Sequence, residues 1–279
     1  MLRNERSLEN RDVVQRTLPK NCLTIGDVIR MRQKQDRSMN GVDAMWLRIQ
    51  LEAVLNGQSA LIGPFDGVDG LWKDEPCFVV GGSYNLRAAF EAGFNFKMLD
   101  GFHSIGVNHV IEDYHDFEWF LFQDARFLRT SSYDLMQDYK GRIFGHIRTH
   151  LTPSDKVTIF YTQDDGPAEH IIQGLFTFLA SGITAINLAL ISGARPIYLL
   201  GVDTGGLVSD DKPAHYKDTY PGEVLNCAHW DKYKTTIPER MLRYAPFADR
   251  FVNVDPLGAI TVFKKMDIRE VPELQEKFV

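Results

Sequence analysis

In the run VSDDKPAHYKDTYPGE, Val208 to Glu223, a histidine and a tyrosine stand side by side at His215 and Tyr216. An imidazole titrates near neutrality, so His215 is the best general-base candidate in the chain, with Asp203 or Asp218 available to orient its ring. The run is 16 residues long, polar and rich in turn formers. Connections of that length in compact domains are often active-site lids, and a lid is expected over about 204–236. His229, in NCAHWDKYK, is a weaker candidate, and Cys227 two residues before it lacks the further ligands a metal site needs.

Other candidates follow short apolar runs. After CFVV come Gly81, Gly82, Ser83, Tyr84 and Asn85, a glycine turn leading into a helix. Glycines permit close backbone approach, and a helix N-terminus presents free N–H groups, a combination suited to phosphate; a plain tight turn reads the same way. Asn108 follows IGV and can offer a donor and an acceptor to a base or sugar, or serve as a turn residue. Asp124, in QDARF, could hold a sugar hydroxyl or a metal, or cap a turn. In SGITAINLALISGARPIYLLGVDTGG, Ser181 and Gly182 open a helix and Asp203 closes the block in a glycine-rich turn. The chain contains no GxSxG elbow and no HExxH pair.

The spacing of apolar residues predicts the elements that carry these groups. Strands are expected at Cys77 to Val80, Ser104 to Val107, Trp119 to Phe122, Val157 to Tyr161, Ile197 to Leu200 and Phe251 to Val254. Helices are expected at 85–92, 132–139, 181–192 and 238–245, with Ser181 as a cap and Gly193 as a stop. Apolar strands alternating with helices indicate an α/β fold, a doubly wound, mostly parallel, Rossmann-like sheet spanning 76–279. Ligands in such folds sit at the carboxyl ends of the strands, where the candidates fall. Residues 1–75 read as an N-terminal helical extension, with Trp46, Ile49, Ala53 and Val54 at helical spacing and a loop from Gly57 to Glu75.

Thirty-one basic and 37 acidic residues give a net charge of −6, which speaks against a general grip on nucleic acid or anionic membranes. Cys22, Cys77 and Cys227 stand far apart without a CxxC pair, so a reducing, cytoplasmic setting is expected. MLRNERSLENRDVVQR has no apolar signal core, and no apolar stretch approaches a membrane span. Apolar positions in the N-terminal helices could serve a homo-oligomer interface.

Taken together, FVVGGSYNL, IGVNHV, the whole of SGITAINLALISGARPIYLLGVD, AHYKD and FVNVDPLGAITVF resemble, in order over roughly residues 76–265, the bacterial sialyltransferases of glycosyltransferase family 42 and the phage and bacterial proteins related to them. The resemblance implies transfer from a nucleotide sugar, CMP-linked in the characterised enzymes, to a glycan or small-molecule hydroxyl, with no obligatory metal. It implies that Gly81, Gly82 and Ser83 line the nucleotide phosphate, that Asn108 and Ser181 contact nucleotide or sugar, that Asp203 supports the site, and that His215 is the base. A phage-encoded relative would work in its host's cytoplasm.

The sequence also departs from the family. Gly82 and Tyr84 stand where the family's first turn has asparagine and proline, and the tyrosines that grip the leaving phosphate have no clear counterpart in TGGLVSDD, leaving Tyr216 or Tyr220 to substitute. Two alternatives therefore stay open. One is transfer of pyrophosphate from ATP with magnesium, as in the related 6-hydroxymethylpterin diphosphokinases, which use clustered aspartates; the other is a nucleotide-binding protein without catalysis.

Overall fold

The computed structural model describes residues 23–24, 61–123, 132–146, 154–163, 165–177, 180–202, 216, 236–255 and 258–278. Eight strands form the central sheet: β1 (Cys77–Val80), β2 (His103–Val107), β3 (Trp119–Phe122), β4 (Arg142–His146), β5 (Val157–Phe160), β6 (Ile197–Leu200), β7 (Phe251–Asn253) and β8 (Lys264–Lys265). Their spatial order is β8-β7-β6-β1-β2-β3-β4-β5, and every neighbouring pair is parallel. The chain winds outward from β1 to β5, then returns to β6 on the other side of β1. The topological switch point therefore lies between β1 and β6.

Both faces of the sheet are buried, which is why its strands read as continuous apolar runs. Alternate side chains divide between two cores: Cys77, Val79, Ile105, Val107, Trp119, Leu121, Ile197 and Leu199 on one face, and Phe78, Val80, Phe120, Phe122, Tyr198 and Leu200 on the other. Helix α1 (Leu86–Glu91) covers the second face with α2 (Ser132–Asp138), while α3 (Ser181–Ile191) covers the first. Ile183 to Ile191 of α3 are all buried, because the helix is sandwiched between the sheet and an outer layer that includes Leu175, Phe176 and Tyr244. Its one buried amide, Asn187, is held in place: Oδ1 accepts from Phe176 N at 2.7 Å and Nδ2 donates to Ala168 O at 3.1 Å.

The doubly wound arrangement expected from the sequence is thus the observed fold, with differences in detail. Strand β4 was not anticipated, since Arg142 and His146 bracket it and Gly145 interrupts its apolar run. Arg142 makes it a strand by long-range contacts: its guanidinium donates to Pro64 O and Asp66 O at 2.7 Å and to Thr158 Oγ1 at 2.8 Å. Leu61–Ile62, expected in a loop, pairs antiparallel with Leu23–Thr24, and Gly63 bridges Ile159 of β5. The helix predicted near the C-terminus runs over 236–241 and tightens into a 3-10 helix at Leu242–Arg250, where Pro246 lacks the N–H that an α-helix would use. The packing helix around Trp46 lies outside the described residues. Among the described residues, no helix is long and apolar enough to cross a membrane.

Candidate functional site

The switch point brings two backbones unusually close together. A Cβ on Gly81, just beyond β1, would stand 2.5 Å from Gly201 O, and one on Gly201, just beyond β6, would stand 2.5 Å from Gly81 O. Gly81 N donates to Leu200 O and Ser83 N to Gly201 O, both at 2.8 Å, so the glycine turn is stitched to the end of β6. Gly81 is glycine because another strand end passes here, a reason distinct from approach to a phosphate.

The turn also uses its own polar groups. The N–H groups of Leu86, Arg87 and Ala88 donate to the carbonyls of Ser83, Tyr84 and Asn85 at 3.0 to 3.1 Å, so these three are engaged within the turn and the first turn of the helix. Asn85 Nδ2 donates to Asp255 Oδ2, tying the turn to the end of β7 across β6. Ser83 Oγ, by contrast, is buried and has no hydrogen-bond partner among the described residues.

A second orphan lies on the adjoining strand. Asn108 directly follows β2 with φ of +56°, a left-handed conformation that asparagine tolerates better than most residues. Its Oδ1 is buried and likewise has no partner among the described residues. An unfilled buried acceptor costs about 1–3 kcal/mol, so it marks a position where a ligand's N–H or O–H would bind favourably.

Helix α3 starts at the same edge. Gly182 lies against Val202, immediately after β6: a Cβ there would stand 2.7 Å from Val202 Cγ1. Ser181, expected as the cap, is instead the first helical residue, and Ala180 occupies the cap position without a side-chain cap bond. Ser181 and Gly182 are half-buried at the edge.

Tyr216 departs from its expected role. It is buried, its ring packs 5.9 Å from Phe90, and its hydroxyl donates to Asp113 Oδ2. Its N–H donates to Gly82 O at 3.2 Å, and its carbonyl accepts from Arg87 Nε at 2.7 Å. Burial first, then the bond to Asp113, pushes the phenol well above its ordinary range, so it stays protonated at any physiological pH. A hydroxyl committed to a carboxylate is poorly placed to grip a phosphate.

Several groups at this edge were not singled out from the sequence. Gln123, beyond β3, donates to Thr184 Oγ1 at 2.7 Å and Thr177 Oγ1 at 3.3 Å, bracing the start of α3. Asp255, Asp113 and Arg87 each act across more than 100 positions of chain, and nothing local in the sequence announces such pairs. His215, Asp203 and Asp124 lie outside the described residues.

Fold and edge together define a doubly wound α/β protein with polar residues gathered at the carboxyl edge of its sheet beside the switch point. Neither a family model nor a curated protein matches the sequence. Among solved structures, the chain resembles one titled "Structure of MAf glycosyltransferase from Magnetospirillum magneticum AMB-1", at 13% identity and a TM-score of 0.48, covering 78% of this chain. This chain spans 38% of the length of that protein.

Proposed function

We propose that the protein is a sialyltransferase-like glycosyltransferase that uses a nucleotide sugar with a CMP-linked donor and transfers the sugar to a hydroxyl of a glycan or small molecule. The observation that carries this reading is the pair of orphaned buried oxygens, Ser83 Oγ and Asn108 Oδ1, at adjoining strand ends beside the switch point. They occupy the positions that the family resemblance gives to the nucleotide, and a nucleotide's phosphate and its N–H or hydroxyl groups would satisfy them.

In this mechanism the acceptor oxygen attacks the anomeric carbon of the donor as the bond from that carbon to the phosphate oxygen breaks. The nucleotide monophosphate leaves with the bonding electron pair, and the acceptor's proton passes to the imidazole of His215. Asp203 has the supporting role that the resemblance gives it. On this reading Ser83 and the backbone of Gly81 and Gly82 would serve the phosphate, and Asn108, Asp124, Ser181 and Gly182 the nucleoside and sugar. The chemistry needs a base near neutral pKa and donors for the departing phosphate. It has no obligatory metal.

Calorimetric titration with CMP, UDP, GDP and ATP, with and without magnesium, tests the reading. Metal-independent binding of CMP is expected. Magnesium-dependent binding of ATP alone would replace it with pyrophosphoryl transfer, and absence of all nucleotide binding would leave a non-catalytic role. The engaged hydroxyl of Tyr216 speaks against the reading in which Tyr216 replaces the family's phosphate-gripping tyrosines.

A further inference from the structure

Tyr216 is the described residue within 203–235, and it is fastened to the body of the protein from three directions. Its N–H reaches Gly82 in the glycine turn, its carbonyl receives Arg87 Nε from α1, and its hydroxyl reaches Asp113 after the 3-10 turn that follows β2. Its ring closes against Phe90 on α1. Arg87 is itself steadied, its guanidinium carbon lying 5.1 Å from the Tyr84 ring. Backbone and side chain of one residue are thus both held, so its position and orientation are fixed together. The peptide nitrogen bonded to Gly82 O is also the one that joins Tyr216 to His215.

We propose that Tyr216 is a positioning residue, with Asp113 and Arg87 as its anchors, and that it registers the chain carrying His215 against the glycine turn while touching no ligand itself. The consequence for His215 rests on the glycosyltransferase reading above; the anchoring does not. A hydroxyl bonded to a carboxylate, in a ring packed against Phe90, fits an anchor better than a phosphate ligand, which would have to give up its charge-assisted bond to Asp113.

Hydrogen exchange of the full chain, read in peptides spanning Tyr216, tests the anchor without any activity. Tyr216→Phe keeps the ring and removes only the hydroxyl, and Asp113→Ala removes its acceptor. Each should speed exchange there by roughly tenfold, and the double variant should add little, since both break one bond. Unchanged exchange in both single variants overturns the proposal. Calorimetry with CMP then separates positioning from binding: the affinity of Tyr216→Phe should stay within about twofold of wild type, while hydrolysis of the CMP-linked donor falls in kcat with KM unmoved. A tenfold loss of CMP affinity with unchanged exchange makes Tyr216 a ligand group and overturns the proposal as well. If the wild-type protein does not bind CMP, the glycosyltransferase reading falls, and the exchange measurement alone decides whether Tyr216 is an anchor.

Discussion

Gly81 and Gly201 face each other across the switch point so closely that a Cβ on either would stand 2.5 Å from the other's carbonyl oxygen. Backbone on both sides leaves nothing to swing aside. Gly81→Ala should therefore lower stability by about 1–3 kcal/mol, read as a lower denaturant midpoint at constant slope. Gly201→Ala should cost more, because its φ of +59° adds left-handed strain to the same clash. Equal stability of Gly81→Ala and wild type would show that the contact can relax.

Ser83 and Asn108 should show the opposite behaviour, in which stability and binding move apart. Each holds a buried oxygen without a partner, so the folded protein gains nothing from it in the absence of ligand. Ser83→Ala should leave the melting temperature level or raise it, and Asn108→Gly should stabilise by about 1 kcal/mol by relieving its φ of +56°. Both variants should bind CMP roughly tenfold or more weakly by calorimetry. A loss of stability in Ser83→Ala would mean that its hydroxyl serves the fold.

The amino edge of the sheet carries a pH dependence of its own. His103, at the start of β2, lies between Glu118, 2.5 Å from Nδ1, and Glu75, 2.9 Å from Nε2. Trp72 stacks on its ring at 4.8 Å and donates from Nε1 to the same Glu118. Burial opposes the charge on His103, but the hydrogen bonds and charges of Glu118 and Glu75 outweigh it, and its pKa is raised above 6.5. A raised folded-state pKa means that the stability it contributes is fully present below 6.5 and is lost as pH rises through the folded value. Melting temperatures across that window should fall for the wild type relative to His103→Gln. Parallel curves for the two proteins would remove His103 as the cause.

His215→Ala should abolish transfer from the CMP-linked donor while leaving CMP affinity within about twofold of wild type, since the base touches the acceptor's proton and not the nucleotide. Unchanged turnover would take His215 out of the catalytic role.

The sheet was legible in the chain because burial on both faces imposes a simple demand: Cys77–Val80, Trp119–Phe122 and Ile197–Leu200 are unbroken apolar runs, and the structure has them at those bounds. Helix α3 was legible for a related reason, since its apolar residues recur at helical spacing and Gly193, with φ of +86°, ends it. The expectation of a ligand at the carboxyl edge rests on that architecture alone. Strand β4 was hidden because Arg142 and Gly145 obscure its pattern, and its pairing depends on neighbours rather than on its own composition.

By itself, then, the sequence determined the alternation of strands and helices and which turns end at the carboxyl edge of the sheet, because hydrophobic period and turn chemistry are local properties. Only the tertiary structure decided what those turn residues do. Gly81 avoids Gly201, Asn85 meets Asp255, and Tyr216 bonds Asp113 instead of standing free. Each of these roles is set by a partner more than 100 residues away, and no spacing along the chain encodes which distant backbone or carboxylate will arrive at the same point in space.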